Sequence, residues 1–333
     1  MSSEGVKRPL TPWLGLPIIV FGLVFLIWLR PDLGADDRAR ALAQKQALIF
    51  GMSPLPKPPP ALGNAQGDDP KMARLGQALF FDQMLSSSGK VSCATCHQPD
   101  KNFTDGLRVA VGVGVAERNT PSLLGAQFNQ WWFWDGRSDS QWSQALSPLE
   151  APAEHDFDRL AVMRRVVQAH AQRYQDAVES LPDYSLFDPT VKHASPQGNE
   201  AARTAWAALG QEQRDAVNRV FVNVGKALEA YQRLLLPGSA PVDAYIAARR
   251  AGDLQGGRHL SPSAVRGLNL FVGKAKCVLC HSGPLFTDHS FHNIGLPSSL
   301  ALPACKGEAC GPNSGRTHGA REVLADPMRC GTE

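Results

Sequence analysis

The sequence predicts a mainly α-helical protein of two similarly built domains behind an N-terminal apolar helix. Three observations carry that expectation. Apolar residues recur at helical spacing in several stretches, while strand signals are sparse. One theme occurs twice: Gly76-x-x-Leu79-Phe80 runs into Cys93-Ala94-Thr95-Cys96-His97, and Gly267-x-x-Leu270-Phe271 runs into Cys277-Val278-Leu279-Cys280-His281. An apolar run from Trp13 to Trp28 precedes both, with Lys7 and Arg8 before it and Arg30 after it.

The repeated pentapeptide is a c-type haem attachment site. Its two thiols add to the two haem vinyl groups, and the adjacent imidazole reaches the iron as proximal ligand. Two such sites in one chain make a Cys-x-x-Cys zinc or redox site the weaker alternative. The expected cofactors are two covalently bound c-type haems, on Cys93, Cys96 and His97 and on Cys277, Cys280 and His281. The fold class is therefore mainly α, with two cytochrome c-like haem domains preceded by an N-terminal membrane-anchor helix.

At 333 residues the chain is long enough for two domains. The net charge of +3 is spread over mixed signs without a basic run, a balance that argues neither for nor against nucleic acid, and no nucleic-acid partner is expected. Four of the seven cysteines are assigned to haem, leaving Cys305, Cys310 and Cys330. Haem is attached to such motifs outside the cytoplasm, where disulfides also persist. A Cys305–Cys310 bridge with Cys330 left over is expected, and three reduced thiols are the alternative.

In chain order, residues 1–34 are an N-terminal membrane anchor or signal. The apolar run is at the short end for a spanning helix, and no small-x-small cleavage site follows closely. The expectation is an anchor with its basic end inside and the rest on the periplasmic side of a bacterial inner membrane. If the segment is cleaved, the protein lies free in the periplasm. Residues 35–68 form a proline-rich juxtamembrane linker, with a short helix over 36–50 and the stiff run Pro54-Leu55-Pro56-Lys57-Pro58-Pro59-Pro60. Residues 69–210 are the first haem domain. In it, helices are expected over 71–81, 159–174 and 199–209, with a Gly- and Val-rich loop over 101–119. Residues 211–333 are the second haem domain, with helices over 211–235 and 262–271 and a turn marked by Pro237 and Pro241.

Four stretches carry a resemblance. They are Leu75-Gly76-Gln77-Ala78-Leu79-Phe80-Phe81-Asp82, Arg118-Asn119-Thr120-Pro121-Ser122-Leu123, Phe133-Trp134-Asp135-Gly136-Arg137, and His281-Ser282-Gly283-Pro284-Leu285-Phe286-Thr287-Asp288. With the haem motifs, they make the chain resemble the bacterial di-haem cytochrome c peroxidase family, which includes the MauG-type enzymes. The resemblance implies peroxide chemistry at the first haem and electron entry at the second. His97 would then be the proximal ligand of the peroxidatic iron and His281 that of the electron-transfer iron. It also implies that Trp134 relays electrons between the haems, with simple packing among Trp131, Trp132 and Phe133 as the alternative. Gln144 and Glu154 match the distal pair: a carboxylate can move the peroxide proton, and an amide can orient the peroxide. Glu150 is the local competitor of Glu154.

The implied reaction is reduction of hydrogen peroxide to water with electrons from a small donor protein, either a cytochrome c or a copper protein. A MauG-type oxidase that modifies a protein substrate and a membrane-tethered di-haem electron carrier are the alternatives. The sequence departs from the pattern in two places. No histidine occurs between His97 and His155, so the first iron is expected to be open in the oxidised state, with His155 at the pocket edge. The family's calcium ion would take Asn119 as one ligand, but the matching Thr-x-Pro segment is missing. No tyrosine follows Tyr245, and Met328 is the sole late methionine, so the second haem domain is expected to be C-terminally incomplete or to lack the sixth ligand of its haem, with Met328 as that ligand the alternative.

Overall fold

The structure, a computed structural model, describes residues 33–293 apart from Glu179. The apolar run 13–28, Cys305, Cys310, Cys330 and Met328 lie outside the described residues. Among the described residues no helix is long and apolar enough to cross a membrane.

The helices are α1 (Leu33–Phe50), α2 (Pro70–Phe80), the single turn α3 (Cys93–Cys96), α4 (Gln141–Glu150), α5 (Arg159–Ala169), α6 (Ala171–Ala177), α7 (Glu200–Ala208), α8 (Gln211–Gln232), α9 (Pro241–Arg250) and α10 (Pro262–Phe271). Extended pairing among the described residues is limited to isolated bridges, as the sparse strand signals predict. The described chain forms two compact units. One holds residues 33–55 and Ala240–Asp288; the other holds Pro56–Ser239 and residues 289–293. The expected domain division is at 210/211; the two compact units part at Ser239/Ala240, since α8 packs on α2, α4 and α5 of the first-motif unit.

In that unit, α2 starts where its chemistry dictates. The Asp69 carboxylate accepts from the backbone N–H of Lys71 (2.6 Å) and Met72 (3.3 Å), and Pro70 fills the first helical position, where no N–H is needed. Met72, Leu75, Leu79 and Phe80 are fully buried, each stabilising by roughly 1.5–3 kcal/mol. Their partner is α8, which buries Val217, Val220, Phe221, Val224, Leu228 and Tyr231 at i, i+3, i+4, i+7 spacing. Gly76 lies at the crossing, where a Cβ would overlap the Ala227 carbonyl, so the two backbones meet with no side chain between them.

The predicted helix over 159–174 is two helices, broken at His170. That residue leaves helical geometry (φ −124°, ψ 12°) and puts Nε2 2.7 Å from the Asp82 carboxylate, which Arg165 also grips at 2.7 and 3.0 Å. Burial alone would raise Asp82, but its bonds to Arg165 and His170 pull its pKa below the usual carboxylate value.

In the second unit, Met52, just beyond α1, packs with Tyr245 and Ile246 of α9 and with Val272 and Val278. Arg250 donates to the Phe50 and Ser53 carbonyls, both at 2.6 Å, and fastens the end of α1 to α9. Pro241 opens α9, and the Asp243 carboxylate accepts from the Ala240 N–H at 2.6 Å.

Candidate haem sites and the cleft at the first motif

The first motif is one helical turn. The Ser92 N–H donates to the Thr95 hydroxyl (2.9 Å), the Thr95 N–H donates to the Ser92 carbonyl (2.9 Å), and the His97 N–H closes the turn on the Cys93 carbonyl at 2.8 Å. A turn of this kind sets both thiols on one side with the imidazole directly after them. His97 Nδ1 lies 3.0 Å from the Phe103 carbonyl. A carbonyl cannot donate, so Nδ1 carries the proton and Nε2 is the nitrogen that can hold a metal. Burial keeps this imidazole's pKa below the ordinary histidine value, although backbone carbonyls partly oppose the shift. The Cys93 thiol is pushed up to about 12 by burial, and burial raises Cys96 as well. Thiols held protonated make a poor redox pair, because the thiolate is the reactive form.

The second motif repeats this construction in its own unit. The His281 N–H reaches the Cys277 carbonyl at 2.9 Å, and His281 Nδ1 lies 3.0 Å from the Phe286 carbonyl. The aromatic surroundings repeat too. Phe80 stands 6.4 Å from the His97 ring and 6.2 Å from Phe103, while Phe271 stands 6.4 Å from the His281 ring and 6.0 Å from Phe286. The phenylalanine of each Gly-x-x-Leu-Phe theme therefore backs the histidine of its own motif. Paired thiols, an imidazole in a fixed tautomer and an apolar backing are the donor set a c-type haem needs, and both sites fit one.

A cleft opens at the first motif. Cys93, Cys96, His97, Gln144, Glu154 and His155 line it, over an apolar wall that includes Phe80, Leu123, Leu149 and Leu228. The structure thus brings the two distal candidates and the motif together. Burial raises the Glu154 carboxyl above the usual value, and the Arg137 charge partly offsets this. Glu150, its competitor, is committed elsewhere: Arg159 holds both its oxygens (3.1 and 3.2 Å) and Ser195 bonds one of them. His155 is buried with Nδ1 2.8 Å from the Leu85 carbonyl.

Trp134 is 53% exposed, so it is no core aromatic. Its indole N–H donates to the Asn119 carbonyl at 3.0 Å, and Arg118 reaches Asp135 at 3.1 Å. Two stretches that the sequence showed only as separate motifs are therefore bonded to each other. Arg137 also holds Asp135 (2.9 Å), and its guanidinium lies 3.4 Å from the Phe133 ring centre. Burial would raise Asp135, but these two arginines bring its pKa below the usual value. Asn119 itself is exposed. One exposed asparagine does not make a calcium site.

Sequence reasoning missed the backbone support of Glu154. The Val113 N–H donates to the Glu154 carbonyl at 2.8 Å, and the Gly114 N–H donates to the Ala153 carbonyl at 3.1 Å. The clustered glycines at 112 and 114 were the available signal, since glycine allows one backbone to approach another closely.

Comparison with known proteins agrees with this construction. A family model described as di-haem cytochrome c peroxidase matches residues 70–251. The chain is 36% identical over 270 residues to the methylamine utilization protein MauG of Methylorubrum extorquens, covering 80% of this chain and 64% of that protein. It is 28% identical over 274 residues to the cytochrome c551 peroxidase of Pseudomonas aeruginosa, covering 80% and 68%. Among solved structures, a variant of the diheme peroxidase BthA from Burkholderia thailandensis superposes with a TM-score of 0.53 at 26% identity, over 71% of this chain and 57% of that one. The chain thus spans less than two thirds of the length of the MauG relative and of BthA. Since the family model covers more than half of the sequence, the chain belongs to the di-haem cytochrome c peroxidase family, a family of haem oxidoreductases.

Proposed function

We propose that this protein reduces hydrogen peroxide to water at the first haem site, using electrons from a small cytochrome c or copper protein that enter at the second. The observation that carries this reading is the meeting of Gln144 and Glu154 with Cys93, Cys96 and His97 in one cleft. Haem bound there supplies the iron on which peroxide is reduced. Cys93 and Cys96 would hold the haem by thioethers, and His97 Nε2 would hold its iron. The reaction consumes one peroxide, two electrons and two protons and yields two water molecules, so the protein must move protons at the right oxygen. Glu154 takes a proton from the attacking oxygen and returns it to the departing one. Its burial keeps the carboxyl poised for both directions, because a carboxylate in bulk water would hold a proton too weakly. The Gln144 amide orients the peroxide. Trp134 relays electrons from the second haem, and its indole is held in place by the bond to the Asn119 carbonyl. The site works outside the cytoplasm, on the periplasmic side, where such haems are attached.

One observation favours a second reading, a MauG-type oxidase acting on a protein substrate. The stretch between His97 and His155 contains no histidine that could cap the first iron. The test is EPR of the oxidised holoprotein before and after a small excess of peroxide, with oxidation of a reduced small cytochrome followed alongside. Loss of a high-spin ferric signal with steady donor oxidation supports the peroxidase. The same loss with a long-lived oxidised state and little turnover supports the oxidase. Two low-spin signals indifferent to peroxide, even after half-reduction, overturn both and leave the electron carrier.

A further inference from the structure

The Gly- and Val-rich stretch after the first motif is a tight turn, with a purpose visible in its bonds. Val111 pairs with Val115, the Gly112 N–H reaches the Gly114 carbonyl at 2.9 Å, and the Ala116 N–H reaches the Ala110 carbonyl at 2.9 Å. Its tip lies against the backbone of residues 153–154, backbone on backbone. The Val113 N–H donates to the Glu154 carbonyl at 2.8 Å and the Gly114 N–H to the Ala153 carbonyl at 3.1 Å. The other side of Glu154 is anchored as well: the Ser87 N–H donates to the His155 carbonyl at 3.0 Å, and the His155 ring meets the Leu85 carbonyl. Glu154 is thus clamped between two segments distant in sequence.

The two glycines of the turn do not carry equal weight. A Cβ at position 112 would stand 2.5 Å from the Glu154 carbonyl oxygen, 2.7 Å from that of Ala153 and 2.8 Å from the Glu154 Cα. All three are backbone atoms, so a side chain there must displace Glu154 itself. A Cβ at position 114 would meet the Ala153 Cα at 3.3 Å, a contact that relaxes with a shift of a few tenths of an ångström. We propose that the turn of residues 111–115 is the seat of Glu154 and that Gly112 is a positioning residue for its carboxylate. The inference rests on the acid–base role of Glu154 proposed above.

The test compares Glu154→Gln, Gly112→Ala and Gly114→Ala in the full-chain holoprotein. Both alanine changes remove one glycine from the same turn, so their effects on the unfolded chain match and only the contact differs. The first readout is the rate of peroxide-driven loss of the high-spin ferric signal without donor. Haem content and the KM for donor serve as controls, and hydrogen exchange at the Val113 amide reports the seat directly. Glu154→Gln is expected to slow the peroxide step about 100-fold or more. Gly112→Ala is expected to slow it about 10- to 100-fold, as a small misplacement of a reacting group does. Its haem content and donor KM are expected to hold while exchange at Val113 quickens. Gly114→Ala is expected to lose several-fold less than Gly112→Ala. Equal rates in the two alanine variants overturn the inference while leaving the role of Glu154 intact. A wild-type rate in Glu154→Gln instead overturns the acid–base reading. If Gly112→Ala fails to take up haem, exchange at Val113 in the unaltered protein decides: a protected amide supports the seat and a freely exchanging one overturns it.

Discussion

His97 Nδ1 lies 3.0 Å from the carbonyl oxygen of Phe103, an acceptor that favours the proton on Nδ1 and leaves Nε2 for a metal. The axial bond and the thioethers are therefore separable. Replacing His97 with alanine is expected to keep covalent haem at both motifs, since Cys93 and Cys96 remain. Replacing both cysteines with alanine is expected to remove one haem. Intact-protein mass spectrometry distinguishes two attached haems from one, and the ferric spectrum of His97→Ala should lose the axial imidazole signature at one haem.

The pH dependence of the peroxide step should follow Glu154. Burial raises its carboxyl above the ordinary value of 4.5, so the carboxylate needed as base is lost as pH falls through a point above 4.5. Arg137 opposes that shift, and Arg137→Leu is expected to move the acid limb to still higher pH. A limb unmoved in Arg137→Leu, with haem content intact, would show that another group titrates.

Trp134→Phe removes an exposed indole and one hydrogen bond, to the Asn119 carbonyl. Stability should fall by no more than about 1 kcal/mol. Steady-state turnover should drop severalfold or more, while the single-turnover peroxide rate stays put. Comparing stopped-flow and steady-state rates tests this split.

Glu229 offers a stability prediction away from the cleft. It is 3% exposed, accepts from the Asn64 amide at 2.7 Å, and has its pKa raised by burial to about 7. A carboxyl raised on folding stabilises fully below its unfolded pKa, and that contribution is lost as pH rises through about 7. Glu229→Gln keeps an acceptor for Asn64 without the ionisation. Relative to the unaltered protein it should gain about 1–3 kcal/mol at pH 8 over its value at pH 5, as measured by urea unfolding.

The Gly76 crossing is a steric matter. Gly76→Ala should cost about 3 kcal/mol or more, because the clash is with the backbone of α8 and no rotamer relieves it. A urea midpoint within error of the unaltered protein would contradict the close approach of α2 and α8.

The haem motifs were legible because attachment chemistry is local and needs only five residues in a row. α2, α7 and α10 were legible from their apolar spacing, and the structure adds the caps that start them, Asp69, Asn199 and Ser261. α4 was not legible. Pro148 lies inside it, and its carbonyl serves His155 from outside the helix. The break at His170 also escaped detection, because the force that makes it comes from Asp82, 88 residues earlier. Gln144 and Glu154 were found through resemblance alone; nothing local marks them, and their meeting with His97 is a product of tertiary packing. The seat under Glu154 joins backbones about forty residues apart, so only its glycines showed in the sequence.

The contrast between Gly76 and Gly267 bears on how the chain comes apart. Around a Cβ at Gly267 nothing described lies within 4 Å, α10 buries none of its residues, and Leu270 is 54% exposed. α2 has six buried residues and is locked at its glycine. Opening α10 frees only the partly buried Val265, Leu268 and Phe271 from their cluster, whereas opening α2 means dismantling a core. Amides of α10 exchange through small, frequent local fluctuations, while those of α2 wait for cooperative unfolding of their whole unit. Two helices with nearly the same sequence theme thus differ in how much core each must break to open.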